Sequence, residues 1–133
     1  MLSHGVNMLD IINIGGVEYT LKYTSKSVIA MEKTGGREVL GTDGVFPIGH
    51  LMSAGLQTIV GVVWFLRHAL LHEYPKMSMT EAAELFDTYV SERSDDGDDG
   101  TRYKDLLDVI GDAMLRSRGI DRKKLALPEG TTK

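Results

Sequence analysis

Cysteine is absent from this 133-residue chain. That excludes disulfide staples, thiolate metal sites and thiol catalysis, and it fits a reducing cytosol. An excess of positive charge is missing too: the formal net charge is −4, so there is no electrostatic footprint for nucleic acid. The first residues, MLSHGVNMLDIINIGG, lack a basic region followed by an apolar run, and no secretory signal is expected. From Leu51 to Leu66 no side chain is ionisable, a run long enough to raise the question of a membrane span. A helical wheel answers it. Ile59, Val62, Val63, Leu66 and Leu70 form one apolar stripe, and His50, Ser53, Gln57, Trp64, His68 and His72 fall roughly opposite. A lipid-facing span has no reason to collect a polar stripe. The expectation is a buried central helix over about residues 48–72, not a membrane span.

Catalytic and metal-binding patterns are likewise missing. His68 and His72 sit four apart on one helix face beside Glu73, but a metal site needs three or four convergent ligands. In a continuous helix His50 lies five turns away, and HALLHE lacks the glutamate inside the pair that a zinc hydrolase uses. Asp95, Asp99 and Gly100 match three positions of a calcium loop, yet Gly97 and Leu106 stand where oxygen ligands are needed. Asp105, Asp108 and Asp112 line one side of a helix, and an i,i+4 pair between Asp112 and Arg116 accounts for them as a solvated face. The glycine pairs fit neither a dinucleotide fingerprint nor a phosphate loop, and no nucleophile elbow is present. No enzyme activity and no cofactor are expected.

What is present is a patterned, ordinary globular composition: 42% hydrophobic and 26% charged. Length and composition together imply one domain. Residues 1–8 read as a flexible lead, 9–119 as a single globular domain, and 120–133 as a flexible tail. Leu9–Ile14 and Val17–Tyr23 flank Gly15-Gly16, and in the second run Val17, Tyr19, Leu21 and Tyr23 alternate with polar residues. This is a β-hairpin signal. A two-stranded hairpin is marginal alone, so its apolar face should lie on helices. Thr24-Ser25 offers a cap for a short helix over about residues 26–34, which Gly35-Gly36 should end. Arg37–Phe46 reads as a loop, with Pro47 opening the central helix.

Pro75 ends that helix. Ser78 or Thr80 can cap the next, over about residues 80–90, and Ser78 with Glu81 has capping-box spacing. Ala82, Leu85, Phe86 and Tyr89 supply its apolar side. SERSDDGDDGT is an acidic loop, and Tyr103, Leu106, Leu107, Ile110, Ala113 and Met114 mark a last helix over about residues 101–117, ended by Gly119. The fold class is therefore mainly α, within α+β: an N-terminal β-hairpin packed on a bundle of about four helices.

The order of these elements resembles the tail assembly chaperones of long-tailed bacteriophages and prophages. The family often begins with a segment reading roughly I-x-G-x-E-Y-x-L, matched here by Ile14, Gly16, Glu18, Tyr19 and Leu21. A short helix ending in E-x-T-G follows, matched by Glu32, Thr34 and Gly35. A later L-x-H-x-x-P-x-x-T-x-E is met by Leu70 or Leu71, His72, Pro75, Thr80 and Glu81, with two extra residues before Thr80 and none between Thr80 and Glu81. The likeness covers about residues 9–115, and its weight lies in order and spacing. The loop from Arg37 to Pro47 and the run DDGDDG depart from the family pattern.

The resemblance implies a non-catalytic protein of the bacterial host cytoplasm. Such proteins bind the tape-measure protein, keep it soluble and help recruit tail-tube subunits. Methionines adapt to varied apolar partners, and Met77 and Met79 sit where a groove can open. With Trp64, His68, His72 and Tyr74 they are the candidate partner-binding residues. The alternative is a small helical adaptor or structural phage protein that forms a homo-oligomer through the long apolar helix.

Overall fold

Gly15 and Gly16 adopt φ of 61° and 84°, the two positive values that a tight primed turn requires and that glycine meets without a Cβ clash. The turn joins β1 (Ile11–Ile14) to β2 (Val17–Thr20) in an antiparallel pair with Ile12 opposite Tyr19 and Ile14 opposite Val17. The computed structural model describes residues 10–92 and 99–118, residues 99–101 by backbone alone. The expected lead (1–8), the tail (120–133), Gly119 and most of the acidic loop lie outside the described residues.

The hairpin buries Ile12 and Ile14, and Leu21 and Tyr23 continue its inward face beyond β2. Val17, expected on that face, is exposed at the tip beside the turn, and Tyr19 is half-buried. Leu21 N–H donates to the Asp10 carbonyl (2.8 Å), Lys22 N–H to the Ala69 carbonyl (3.0 Å), and the buried Tyr23 hydroxyl to the Phe65 carbonyl (2.6 Å). The last two bonds stitch the hairpin to the central helix, which supplies what an isolated two-stranded sheet lacks.

Helix α1 (Ser25–Gly35) is capped by Thr24, whose hydroxyl accepts from Ser27 N–H while Ser27 accepts from Thr24 N–H. Gly35-Gly36 does not end the helical path as expected. Gly36 is right-handed, and the chain winds on through a π-helical turn (Gly36–Leu40) until Gly41, at φ 75°, reverses it. The pair serves close packing instead. A Cβ on Gly35 would lie 2.7 Å from Leu51 Cδ1 and 3.0 Å from Trp64 Cη2, and one on Gly36 would overlap Phe46 and the Thr42 carbonyl. Helix α2 (Ile48–Gly55) follows Pro47, and the Glu32 carboxylate accepts from its first N–H at 2.7 Å.

The expected single helix over residues 48–72 is two helices. After α2 the chain turns at Leu56–Thr58 and restarts as α3 (Ile59–Leu70). Thr58 is extended, and its hydroxyl accepts from Gly61 N–H at 3.0 Å, so it caps α3 from within the apolar run. The corner is closed by glycines, because any Cβ on Gly61 would overlap the Gly55 carbonyl. Helix α3 is buried nearly all round: Gly61–Leu66 and His68–Leu70 are inside, and only its first turn shows Ile59 and Val60. An all-round buried helix carries apolar residues on every side, which explains why periodicity ran unbroken through the corner.

Helix α4 (Met79–Ser91) begins with the expected Ser78–Glu81 capping box, and α5 (Asp99–Ser117) extends the expected last helix by two residues. Both pack on α3, on each other and on β1. One cluster holds the core, from Ile12 through Trp64, Phe65 and Leu66 to Ile110 and Met114. The described residues thus form a mainly α protein with a small hairpin and five α-helices, one more than expected because the central one is divided. None of these helices is long and apolar enough to cross a membrane. Arg116 Nε reaches Asp10 Oδ2 at 3.0 Å, tying α5 to the start of the hairpin.

Candidate functional site

The connection between α3 and α4 is short and heavily tied. Glu73 and Tyr74 N–H groups donate to the Leu70 carbonyl (3.1 and 2.8 Å), Met77 N–H donates to the Tyr74 carbonyl (3.0 Å), and Arg67 Nε donates to the Met77 carbonyl (2.7 Å). Pro75 prevents the helix from running on, and the capping box fixes where α4 starts: Glu81 N–H to Ser78 Oγ at 3.0 Å, Ser78 N–H to Glu81 Oε1 at 2.9 Å. The connection is therefore a shaped wall.

Opposite it runs one stripe of α4. Ala82, Phe86 and Tyr89 face the core, which turns Glu81, Glu84, Leu85 and Thr88, one turn apart in sequence, toward the connection. Tyr19 of β2 closes the third side. Its ring lies 5.8 Å from that of Tyr74 at 52°, a tilted pair within the favourable aromatic range. Together these residues line a groove of about 690 Å³. The floor and one wall are apolar or aromatic, through Tyr19, Tyr74, Pro75, Met77 and Leu85. Glu73, Glu81 and Glu84 bring three carboxylates against the single ammonium of Lys76.

The six candidate partner residues separate in space. Tyr74, 40% exposed, and Met77, half-buried, line the groove. Met79 is exposed at the first position of α4 but does not line it. His72 is exposed, and its Nε2 donates to the Thr20 carbonyl at 2.7 Å, which makes it a strut between α3 and the hairpin. Trp64 is 1% exposed and His68 is 7% exposed, so both belong to the core and offer no surface to a partner. Trp64 Nε1 donates to Glu38 Oε1 at 2.8 Å, and the His68 ring meets the indole edge-on at 4.5 Å. Burial, reinforced by the neighbouring Arg67 charge and only partly offset by Glu38, pushes the His68 pKa down to about 4. Among the described residues, no three His, Asp or Glu side chains converge to hold a metal.

Sequence reasoning missed Tyr19, Glu73, Glu81, Glu84 and Leu85 as groove residues. A signal existed for α4, where Glu81, Leu85 and Thr88 stand at i, i+4, i+7. For Tyr19 there was none, since its strand meets the connection only through the tertiary fold. A second cavity of about 520 Å³ lies between the hairpin and α5, lined by Asp10, Lys22, His72 and Arg116 among others. Burial raises the Asp10 pKa, Arg116 opposes that rise, and Asp112 adds to it. No family model, curated protein or solved structure matches this chain.

Proposed function

We propose that this chain is a non-catalytic tail assembly chaperone of a long-tailed bacteriophage or prophage. In the bacterial host cytoplasm it binds the tape-measure protein and assists tail-tube assembly. One observation carries the reading. The open apolar groove lies along the α3–α4 connection and most of α4, Glu73–Thr88, which overlaps the segment where the resemblance to that family is densest. An amphipathic helix can lay its apolar face into such a groove, and the adaptable thioether of Met77 suits a surface that must accept successive segments of a long client.

Co-expression with the tape-measure protein encoded alongside it tests this. The client is expected to become soluble and to co-purify with the chain, and Tyr74→Ala with Met77→Ala is expected to weaken that complex. No rescue and no complex would overturn the proposal.

Self-association is a second reading, and one observation favours it. Ile59 and Val60 are adjacent, and each is 54% exposed on the first turn of α3. Of the long apolar helix through which an oligomer is expected to form, Val62, Val63, Leu66 and Leu70 are inside the fold, which leaves the first turn to serve it. An oligomer that Val60→Lys dissolves, seen by light scattering, would support this reading; a monomer in the unsubstituted chain would end it.

A further inference from the structure

We infer that the groove selects a cationic amphipathic helix, its apolar side chains on Tyr74, Met77 and Leu85 and its lysines or arginines against Glu73, Glu81 and Glu84. The inference deepens the proposed function and rests on its claim that the groove is a protein-docking surface. Charge complementarity carries it. The groove holds three carboxylates and one ammonium, and they are not scattered. Glu81 and Glu84 repeat at one turn of α4, just ahead of Leu85, and Glu73 stands on the connection. A helix packed alongside presents its own residues at the same turn spacing, so a row of cations beside an apolar stripe meets the carboxylates in register.

Chemistry on the aromatic side points the same way. The Tyr19–Tyr74 pair leaves Tyr74 40% exposed, and a lysine or arginine stem lies well over a tyrosine face while its charged head reaches a carboxylate beyond it. Glu81 keeps one oxygen for the Ser78 N–H and has the second left for a partner. An acidic segment is repelled at every one of these positions, and like-charge contact is an effective means of rejecting wrong partners. The same repulsion disfavours a second copy of this chain docking groove to groove.

Two synthetic peptides of about 16 residues, long enough for four turns, supply the test. They share a leucine stripe at helical spacing, and one carries lysine and the other glutamate beside it. Each is titrated into the intact protein and followed by amide chemical shifts. The lysine peptide is expected to bind with shifts centred on Tyr74, Met77 and Leu85, and to weaken roughly tenfold between about 50 and about 300 mM salt. The glutamate peptide is expected not to bind. Glu73→Lys with Glu84→Lys should reverse the preference; both residues are exposed and outside the capping box. If that double variant fails to fold, Glu84→Gln alone should lower the salt dependence. Equal binding of both peptides, binding insensitive to salt, or shifts centred elsewhere would overturn the inference. If the client co-purifies and needs Tyr74 while the peptides show no charge preference, the occupant's chemistry is wrong and the groove stands. If client binding ignores Tyr74 and Met77, the docking reading itself fails.

Discussion

Gly61 and Gly49 are both helical glycines of the span expected to form one central helix, and their surroundings give them opposite consequences. A methyl on Gly61 would overlap the Gly55 carbonyl, backbone against backbone, whereas one on Gly49 meets nothing within 4 Å. Gly61→Ala must push α2 away from α3 and should cost about 3 kcal/mol or more, at the upper end for overpacking. Gly49→Ala should instead raise stability by up to about 0.5 kcal/mol through the unfolded chain. Urea midpoints of the two variants give both signs. His68 makes a prediction of pH. Its folded pKa, about 4, lies below the usual 6.5, so the unfolded chain binds more protons between those values. Stability is therefore flat above about pH 6.5 and falls as pH drops toward 4, by at most about 3 kcal/mol. Asp10 works in the opposite sense, because its raised pKa favours the folded state as pH falls through the carboxylate range. His68→Phe should flatten the slope between pH 6.5 and 4, measured as the shift in urea midpoint.

At the level of elements, caps decide the layout. Ser78→Ala removes the hydroxyl that accepts from Glu81 N–H and should cost about 1 kcal/mol. Because the same residue sets where α4 begins, amide exchange at Glu81 and Ala82 should quicken before that of α3. These caps were legible in the sequence, as were the hairpin with its Gly15-Gly16 turn and the extent of α4, whereas α5 starts two residues earlier than expected. The helix break at Thr58 was not. A threonine cap inside a run whose apolar and polar stripes both carry on through it has no periodicity change to announce it, and Gly61 reads as an ordinary helical glycine until the Gly55 carbonyl is seen against it. Gly35-Gly36 misled for a related reason. Glycine before a loop signals a helix end, but here it answers to Leu51, Trp64 and Phe46, none of them nearby in sequence. Trp64 and His68 read as partner-facing because a wheel separates polar from apolar sides without saying whether a partner or the chain's own helices cover the polar one.

For the molecule as a whole, the hairpin is an element held from outside itself. Glu92 at the end of α4 is the clamp. One carboxylate oxygen accepts from Gly15 N–H at 2.7 Å, and the other pairs with Arg102 of α5 at 3.0 Å, whose guanidinium also lies 3.8 Å over the Tyr89 ring. Three elements thus meet at one carboxylate. Glu92→Ala should cost about 1 kcal/mol, moderated by partial exposure, and hydrogen exchange should speed up at Gly15, Ile12 and Tyr19 while the α3 amides keep their protection. Uniform loss of protection would show that the hairpin and α3 open together. Since Tyr19 is a groove wall, loosening the hairpin should also weaken whatever the groove holds.

Trp64 is the chain's one tryptophan, set at the centre of the core with its N–H on Glu38 and His68 against its ring. The protein therefore carries its own optical gauge. An indole shut away from water emits toward the blue, and water reaching it moves the emission red. No groove residue touches that gauge's definition, since Trp64 does not line the groove, so a ligand there can be titrated while the same sample reports, unlabelled, whether the interior stays closed.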